Sequence, residues 1–330
     1  MSFDAVEKIA AAILYEGYIL YPYRKTAIKN RQRWNFGTLY PRVYAEAQRP
    51  QESFRLVAEF LAVHGHDATS ATIDLKISFL QLVRQQEPSS SNQLSDPSLA
   101  WDEAVERTSK HPGLKLTDLI AGPLEFAVHL EGTPLPEGRS SAASPALDAL
   151  LRVSANLPDD GSSKLRIEVE NVTPLPSGAD GRRDEALPRS FVSAHVMAQI
   201  TGGEFISLLD PTSLFSESVA ACSNIGVFPV LAGDEPDRST MFCSPIILYD
   251  YPKIAPESEG DFFDGTEMDE MLTLRVLTLT DDEKEEMRSG DPRARGILER
   301  TEALTAEAML KAHGVVRSLR EINDIREDAL

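Results

Sequence analysis

The sequence contains few of the patterns that assign a chemistry to a protein. It has two cysteines, Cys222 and Cys243, and neither a Cys-x-x-Cys nor a His-x-x-x-His spacing, so we expect no disulfide framework and no structural zinc site. It also lacks the glycine-rich loops of P-loop and Rossmann proteins and the Gly-x-Ser-x-Gly elbow of hydrolases. These absences exclude P-loop and Rossmann nucleotide chemistry and leave only poor signals for a nucleophile, and the sequence predicts no cofactor. Cys243, which precedes an apolar run, is predicted to be a buried structural thiol.

Long apolar runs are absent as well. The longest, residues 9–14, stops at Tyr15-Glu16-Gly17, well short of the roughly 20 residues that cross a bilayer as a helix. The first residues lack the basic region and the apolar core of a signal peptide. We therefore predict a cytoplasmic protein that does not insert into membranes.

Positive charge is scarce, because 33 Lys and Arg stand against 52 Asp and Glu, for a formal net charge of −19. This balance argues against a general nucleic-acid binder, which needs positive charge to displace counterions from phosphates. The charge is also unevenly distributed. Residues 20–50 hold seven cations and one anion, whereas residues 249–290 hold thirteen acids and four bases. The chain therefore has a basic segment and an acidic segment far apart in sequence.

Alternation of apolar and polar residues dominates the middle of the chain. Such a period of two indicates half-buried antiparallel strands, with one face toward a core and one toward water. Thr201-Gly202-Gly203 lies between two further apolar segments and predicts a hairpin turn. We therefore predict an α+β fold whose core is an antiparallel β-sandwich or an open barrel. The alternating segments are residues 54–60, 73–79, 124–130, 151–157 and 165–169.

Helical patterns lie toward the two ends. Asp4 can cap a first helix whose apolar face recurs at helical spacing until Gly17, and residues 101–109 are predicted to form one short helix. After residue 211 the pattern becomes helical and acidic, with a capping box from Thr280 to Glu283 and a proline, Pro292, at the start of another helix. The predicted organisation is a helix with a basic and aromatic segment over 1–50, an antiparallel β domain over 51–210, and an acidic loop with helices over 211–330.

The acidic loop of residues 250–270 is a candidate metal site, because hard cations take several carboxylate oxygens from turn-rich segments. Its spacing is not that of a calcium-binding loop, and helix caps or solvated charge explain the same residues. Two histidines, His129 and His195, fall on the polar faces of their strands and are predicted to be solvent-facing or partly packed. The candidate metal ligands are Asp250, Glu257, Asp261 and Asp264.

Cations and aromatic rings alternate in the basic segment near the N-terminus. Arginine, tryptophan and tyrosine supply the energetic centres of protein interfaces, and the same mixture suits single-stranded nucleic acid. A third interpretation is that these cations pair with the protein's own excess of acids. We predict a partner-binding surface for a protein, not for nucleic acid, at Tyr21, Tyr23, Arg24, Lys29, Arg31, Arg33, Trp34 and Phe36.

Five stretches resemble an uncharacterised bacterial family encoded beside uptake nickel–iron (NiFe) hydrogenase genes, and the similarity spans nearly the whole chain. The resemblance implies an association with hydrogenase assembly or use, and it implies no catalytic residues. The stretches are residues 14–24 (LYEGYILYPYR), 29–37 (KNRQRWNFG), 205–211 (FISLLDP), 244–257 (SPIILYDYPKIAPE) and 264–284 (DGTEMDEMLTLRVLTLTDDEK).

Together, these observations favour a non-enzymatic accessory or assembly factor that binds a NiFe-hydrogenase subunit or a maturation intermediate. One alternative is a metal-assisted hydrolase that uses carboxylates of the 250–270 loop. Another is a structural scaffold within an oligomer, and a homo-oligomer is compatible with either of the non-enzymatic functions.

Overall fold

The computed structural model describes residues 4–17, 19–24, 27, 30, 37–65, 71–84, 102–132, 144–179, 181–254, 269–289 and 292–304. The chain divides into two compact units. The first comprises Met1–Ile19 and Lys25–Lys253, and the second comprises Leu20–Arg24 and Ile254–Leu330.

The first unit contains two antiparallel sheets of five strands each. The first sheet has the strand order β4-β5-β6-β1-β8, and each neighbouring pair runs antiparallel. Its strands are β1 (Arg55–His64), β4 (Leu124–Leu130), β5 (Leu147–Asn156), β6 (Ser163–Asn171) and β8 (Gly203–Phe205).

The second sheet has the strand order β3-β2-β7-β10-β9 and is also antiparallel throughout. Strands β2 and β3 form its longest pair, and β9 lies at the opposite edge. Its strands are β2 (Thr72–Arg84), β3 (Asp102–Lys115), β7 (Val192–Thr201), β9 (Phe228–Leu231) and β10 (Thr240–Ser244).

One apolar cluster joins the inner faces of the two sheets. Phe60 of β1 packs edge-to-face on Phe205 of β8, with ring centroids 5.2 Å apart, and Phe79 of β2 stacks on Phe191 at 4.4 Å. Alternate residues of each strand supply this cluster, as the period of two requires. The α+β fold with a sandwich-like antiparallel core is confirmed.

Strand β3 corrects the helix predicted for residues 101–109. The side chains of β3 that face the core are only half-buried, and they include the polar residues Arg107, Ser109 and His111. The apolar alternation that marks the other strands is therefore missing in this segment. Pairing with β2 continues from Arg84 opposite Asp102 to Thr72 opposite Lys115. Tertiary pairing overrides local propensity in this segment.

Strands β9 and β10 extend the sandwich beyond residue 210, into a region where the sequence predicts helices. Both strands are almost entirely buried, since the core covers one face and helix α1 (Asp4–Leu14) covers the other. Strands that are buried on both faces read as continuous apolar runs without alternation. The sequence periodicity of β9 and β10 therefore did not identify them as strands.

The Thr201-Gly202-Gly203 turn connects the two sheets and does not form the predicted hairpin. Strand β7, which precedes it, belongs to the second sheet, whereas β8 pairs with β1 in the first. Gly203 fits this crossing because a Cβ there would lie 2.6 Å from the Val63 carbonyl oxygen. Glycine permits this close backbone approach.

Helix α1 lies on the outer face of the second sheet, as its apolar face predicts. Val6, Ala10 and Ile13 pack there against Met197 and Phe242. Short helices connect the strands elsewhere in this unit. They are α2 (Arg42–Ala47), α3 (Leu116–Ala121), α4 (Arg183–Ala186), a 3-10 turn (Leu187–Arg189) and α5 (Ser216–Ala220).

The second unit contains helices α6 (Asp269–Leu277), α7 (Asp281–Ser289) and α8 (Pro292–Ala303). The predicted capping box is confirmed, because Glu283 Oε2 accepts the Thr280 N–H at 2.9 Å and Glu283 N–H reaches Thr280 Oγ1 at 3.4 Å. Within the part of the chain that the structure describes, no helix has the length and apolarity needed to cross a membrane.

Candidate functional site

Three of the eight predicted partner-binding residues are described, and all three lie in the helical second unit. Tyr23 is only 1% exposed, and Arg24 pairs with Glu283 at 3.0 Å and with Glu286 at 3.5 Å. The guanidinium of Arg275 lies 5.5 Å from the Tyr21 ring centroid, within the range of a cation–π contact. The basic segment thus pairs at Arg24 with acids of the C-terminal region.

The other five predicted residues, Lys29, Arg31, Arg33, Trp34 and Phe36, lie outside the described residues, and their role in partner binding stays a prediction. Gly37, which follows them, is described. Its φ is +51°, and a Cβ there would lie 2.7 Å from both Cβ and Cγ of Pro245. The chain therefore passes directly against the start of the segment that runs from Pro245 to Tyr251.

One of the four candidate metal ligands, Asp250, is described, and both oxygens of its carboxylate accept hydrogen bonds from other residues of the chain. Asp250 Oδ1 accepts the N–H of Leu231 at 2.8 Å, and Oδ2 accepts the hydroxyl of Ser207. Glu257, Asp261 and Asp264 lie outside the described residues. Among the residues that are described, no three His, Cys, Asp or Glu side chains converge as metal ligands.

Residues 245–251 form an irregular segment that reaches strand β9, which is the edge strand of the second sheet. Tyr251 N–H donates to the Leu231 carbonyl at 2.7 Å, next to the hydrogen bond that Asp250 accepts. Ile246 and Leu248 pack on the cluster beneath α1. The intervening side chains point away from it, and Ile247 is 74% exposed and Tyr249 86% exposed.

The 245–251 segment therefore presents two large apolar side chains on a backbone that is fixed at its start and at its end. Pro245 abuts Gly37 at the start, and Asp250 and Tyr251 are hydrogen-bonded to β9 at the end. A fixed backbone reduces the conformational entropy that binding would remove. The sequence gives no indication of this exposure, because the apolar run from Ile246 to Tyr249 shows no alternation between faces.

The described histidines differ strongly in environment. Burial lowers the pKa of His195 to about 4, because α1 covers the outer face of β7 and the ring packs on Phe242. The predicted solvent-facing or partly packed ring is therefore wrong for His195. His129 is exposed, and a hydrogen bond with Asp148 at 2.6 Å raises its pKa.

Ser109 and His111 form the one described pair that resembles a nucleophile and its base, with Oγ and Nε2 2.9 Å apart. Burial lowers the pKa of His111, and its ring packs on Phe126 at 4.9 Å. The third group that orients the base in serine hydrolases is missing among the described residues. The pair fits a packed polar contact at the sheet edge.

Both thiols are held in their protonated form. Burial raises the pKa of Cys222 to about 11, and complete burial raises the pKa of Cys243 further. A nucleophilic cysteine needs a thiolate, so neither residue is activated. The predicted buried structural thiol at Cys243 is confirmed.

The outer face of the first sheet carries an ion-pair network that sequence reasoning read as a solvated face. Glu59, Glu168 and Glu170 are each buried, beneath cations that extend from neighbouring strands and from α2. The sequence feature that could have indicated this network is the presence of both acids and bases on the outer faces of β1 and β6. The N···O distances are 2.6 Å for Arg166–Glu59, 3.2 Å for Arg166–Glu168, 3.0 Å for Arg55–Glu168, 3.0 Å for Arg42–Glu170 and 3.5 Å for Lys164–Glu59.

No protein-family model and no curated protein matches this chain in sequence comparison. The candidate site is therefore defined by its geometry alone. Of the surfaces described, the 245–251 segment is the one that combines strong apolar exposure with a fixed backbone.

Proposed function

We propose that this chain is a non-enzymatic accessory factor that binds a protein partner through the 245–251 segment. Ile247 and Tyr249 carry the proposal, because they are 74% and 86% exposed on an anchored backbone. Exposed apolar side chains that stand together mark interaction sites, and tyrosine is enriched among the residues that dominate binding energy. Because burial raises the pKa of both thiols, neither cysteine offers a nucleophile for covalent catalysis.

The resemblance to the family encoded beside hydrogenase genes suggests the partner. We infer that it is a NiFe-hydrogenase subunit or a maturation intermediate. The acidic balance of the chain favours a partner with a basic rim around an apolar centre, since charge complementarity around a contact guides association.

Co-purification tests the proposal. A tagged full-length chain is co-expressed with each subunit of a NiFe hydrogenase, and we expect one subunit to be recovered with it. The double variant Ile247→Ser/Tyr249→Ser should reduce that recovery about tenfold or more. The matched control is Leu157→Ser, because Leu157 is 59% exposed at the end of β5 and lies far along the chain from this segment.

Two results separate the parts of the proposal. Equal recovery with the double variant and with the control overturns the 245–251 surface. Failure to recover any hydrogenase component, together with unchanged hydrogenase activity in a deletion strain, overturns the hydrogenase partner. Thermal unfolding of each variant confirms that the sandwich is intact.

A further inference from the structure

Strand β3 lies at one edge of the second sheet as the structure describes it. It pairs with β2 along its whole length, and among the described residues no strand pairs with its other side. Within the described ranges, no strand takes the backbone N–H and C=O groups that point to that side, and such groups can pair with a further strand. Ten successive residues, from Asp102 to His111, pair with β2 in uninterrupted register before the irregularity opposite Ile73 and Leu75.

The two faces of β3 are distinct. Glu106, Thr108 and Lys110 are exposed on the outer face, whereas Arg107 and Ser109 are half-buried on the inner face. Acid and base therefore stand two residues on either side of a central threonine. A strand with this arrangement is complementary to itself when it is read in the antiparallel direction.

We propose that two copies of this chain associate edge to edge through β3, with a two-fold axis at Thr108. Glu106 of each copy then lies opposite Lys110 of the other, on the outer face of the combined sheet. Thr108 faces its own counterpart, and Arg107 faces Ser109. The two five-stranded sheets join into one continuous ten-stranded sheet, which is an isologous interface.

Charge selects this register among its neighbours. In an antiparallel pair, the side chains of two directly opposed residues lie on the same face of the sheet. The two-fold axis must therefore pass through a residue of β3, and the alternative registers place it at the residues before or after Thr108. An axis at Arg107 places two arginines opposite each other. An axis at Glu106 opposes two glutamates, and an axis at Lys110 opposes two lysines. An axis at Ser109 opposes Arg107 to His111, whose pKa is lowered by burial, and Thr108 to Lys110, so it forms no pair of opposite charges. Directly opposed like charges destabilise a sheet, whereas opposite charges and threonine pairs stabilise it.

The proposal is independent of the partner surface at Ile247 and Tyr249, so each can fail without the other. Light scattering during size exclusion measures the mass of the full chain directly. We expect about twice the monomer mass of 36.3 kDa. Glu106→Lys and Lys110→Glu should each raise the dissociation constant about tenfold or more, because each reverses two cross-strand pairs. The combined Glu106→Lys/Lys110→Glu variant should restore the dimer.

The charge-swapped variant distinguishes loss of pairing from loss of folding, since it carries both substitutions. A covalent test of the register uses Thr108→Cys in a Cys222→Ser background. Oxidation should link two copies at position 108, and it should not link them in the matched variant Ala104→Cys, which lies away from the axis. A monomeric wild-type chain, or a dimer that neither single charge reversal weakens, overturns the proposal.

Discussion

Arg166 lies directly opposite Glu59 across strands β1 and β6, and its Nη1 atom is 2.6 Å from Glu59 Oε1. The other oxygen of Glu59 accepts the N–H of Ser223 at 2.8 Å. Burial raises the pKa of Glu59, but the hydrogen bonds from Ser223 and Arg166 and the charge of Lys164 outweigh it, so the pKa lies below its usual value. The stabilisation from this carboxylate is therefore present above its unfolded pKa and is lost as the pH falls through the folded pKa.

Arg166→Met should lower the free energy of unfolding by about 1–2 kcal/mol, because it leaves the buried carboxylate of Glu59 without its closest cation. This loss is smaller than that of a fully buried pair, since the Arg166 side chain is 38% exposed. Urea denaturation measures the loss. Adding Glu59→Gln should recover part of it, and Arg182→Met, which breaks an exposed pair with Asp184, should change the stability less. Equal losses for Arg166→Met and Arg182→Met would contradict the network.

Stability should depend on His195 between pH 6.5 and about 4. The folded protein keeps the ring neutral, with a pKa of about 4, whereas the unfolded chain takes up a proton below about 6.5. Stability therefore falls as the pH decreases through this window, by about 3 kcal/mol in total. His195→Asn removes the dependence, and the stability of the two proteins is compared across the window.

His129 provides a control of opposite sign. Its pKa is raised by Asp148, so its contribution is present at low pH and is lost as the pH rises through the folded pKa. His129→Asn should therefore shift the pH profile in the other direction. Identical profiles for wild type and His195→Asn would show that the ring is not held neutral.

Gly37→Ala should destabilise the sandwich by about 2–3 kcal/mol. A left-handed φ of +51° strains any residue with a Cβ, and the added methyl would lie 2.7 Å from Pro245. Gly17→Ala is the matched control, because Gly17 has a φ of +69° and no atom within 4 Å of an added Cβ. It should lose only about 1 kcal/mol. The difference in thermal unfolding isolates the contact with Pro245, and equal losses would refute it.

Thr280→Ala should loosen the start of helix α7. Thr280 Oγ1 accepts the Glu283 N–H and donates to the Glu283 carboxylate at 2.9 Å, and removal of such a cap costs about 1 kcal/mol. Hydrogen exchange over residues 281–289 should become several times faster. Thr278→Ala, whose hydroxyl donates to Arg275 at the end of α6, should leave that exchange unchanged.

The sequence by itself determined an antiparallel β core of the sandwich or open-barrel type, the first helix and the cap at Thr280. Each rests on neighbouring residues, because alternation, helical spacing and capping boxes are local patterns. Only the tertiary structure decided that residues 102–115 form a strand, that β9 and β10 extend the second sheet, and that the Gly202-Gly203 turn crosses between sheets. It also buried His195 beneath α1 and the glutamates of β6 beneath cations of other strands. Burial at these positions depends on residues distant in sequence that cover them, and no local period reports which face a distant element will cover.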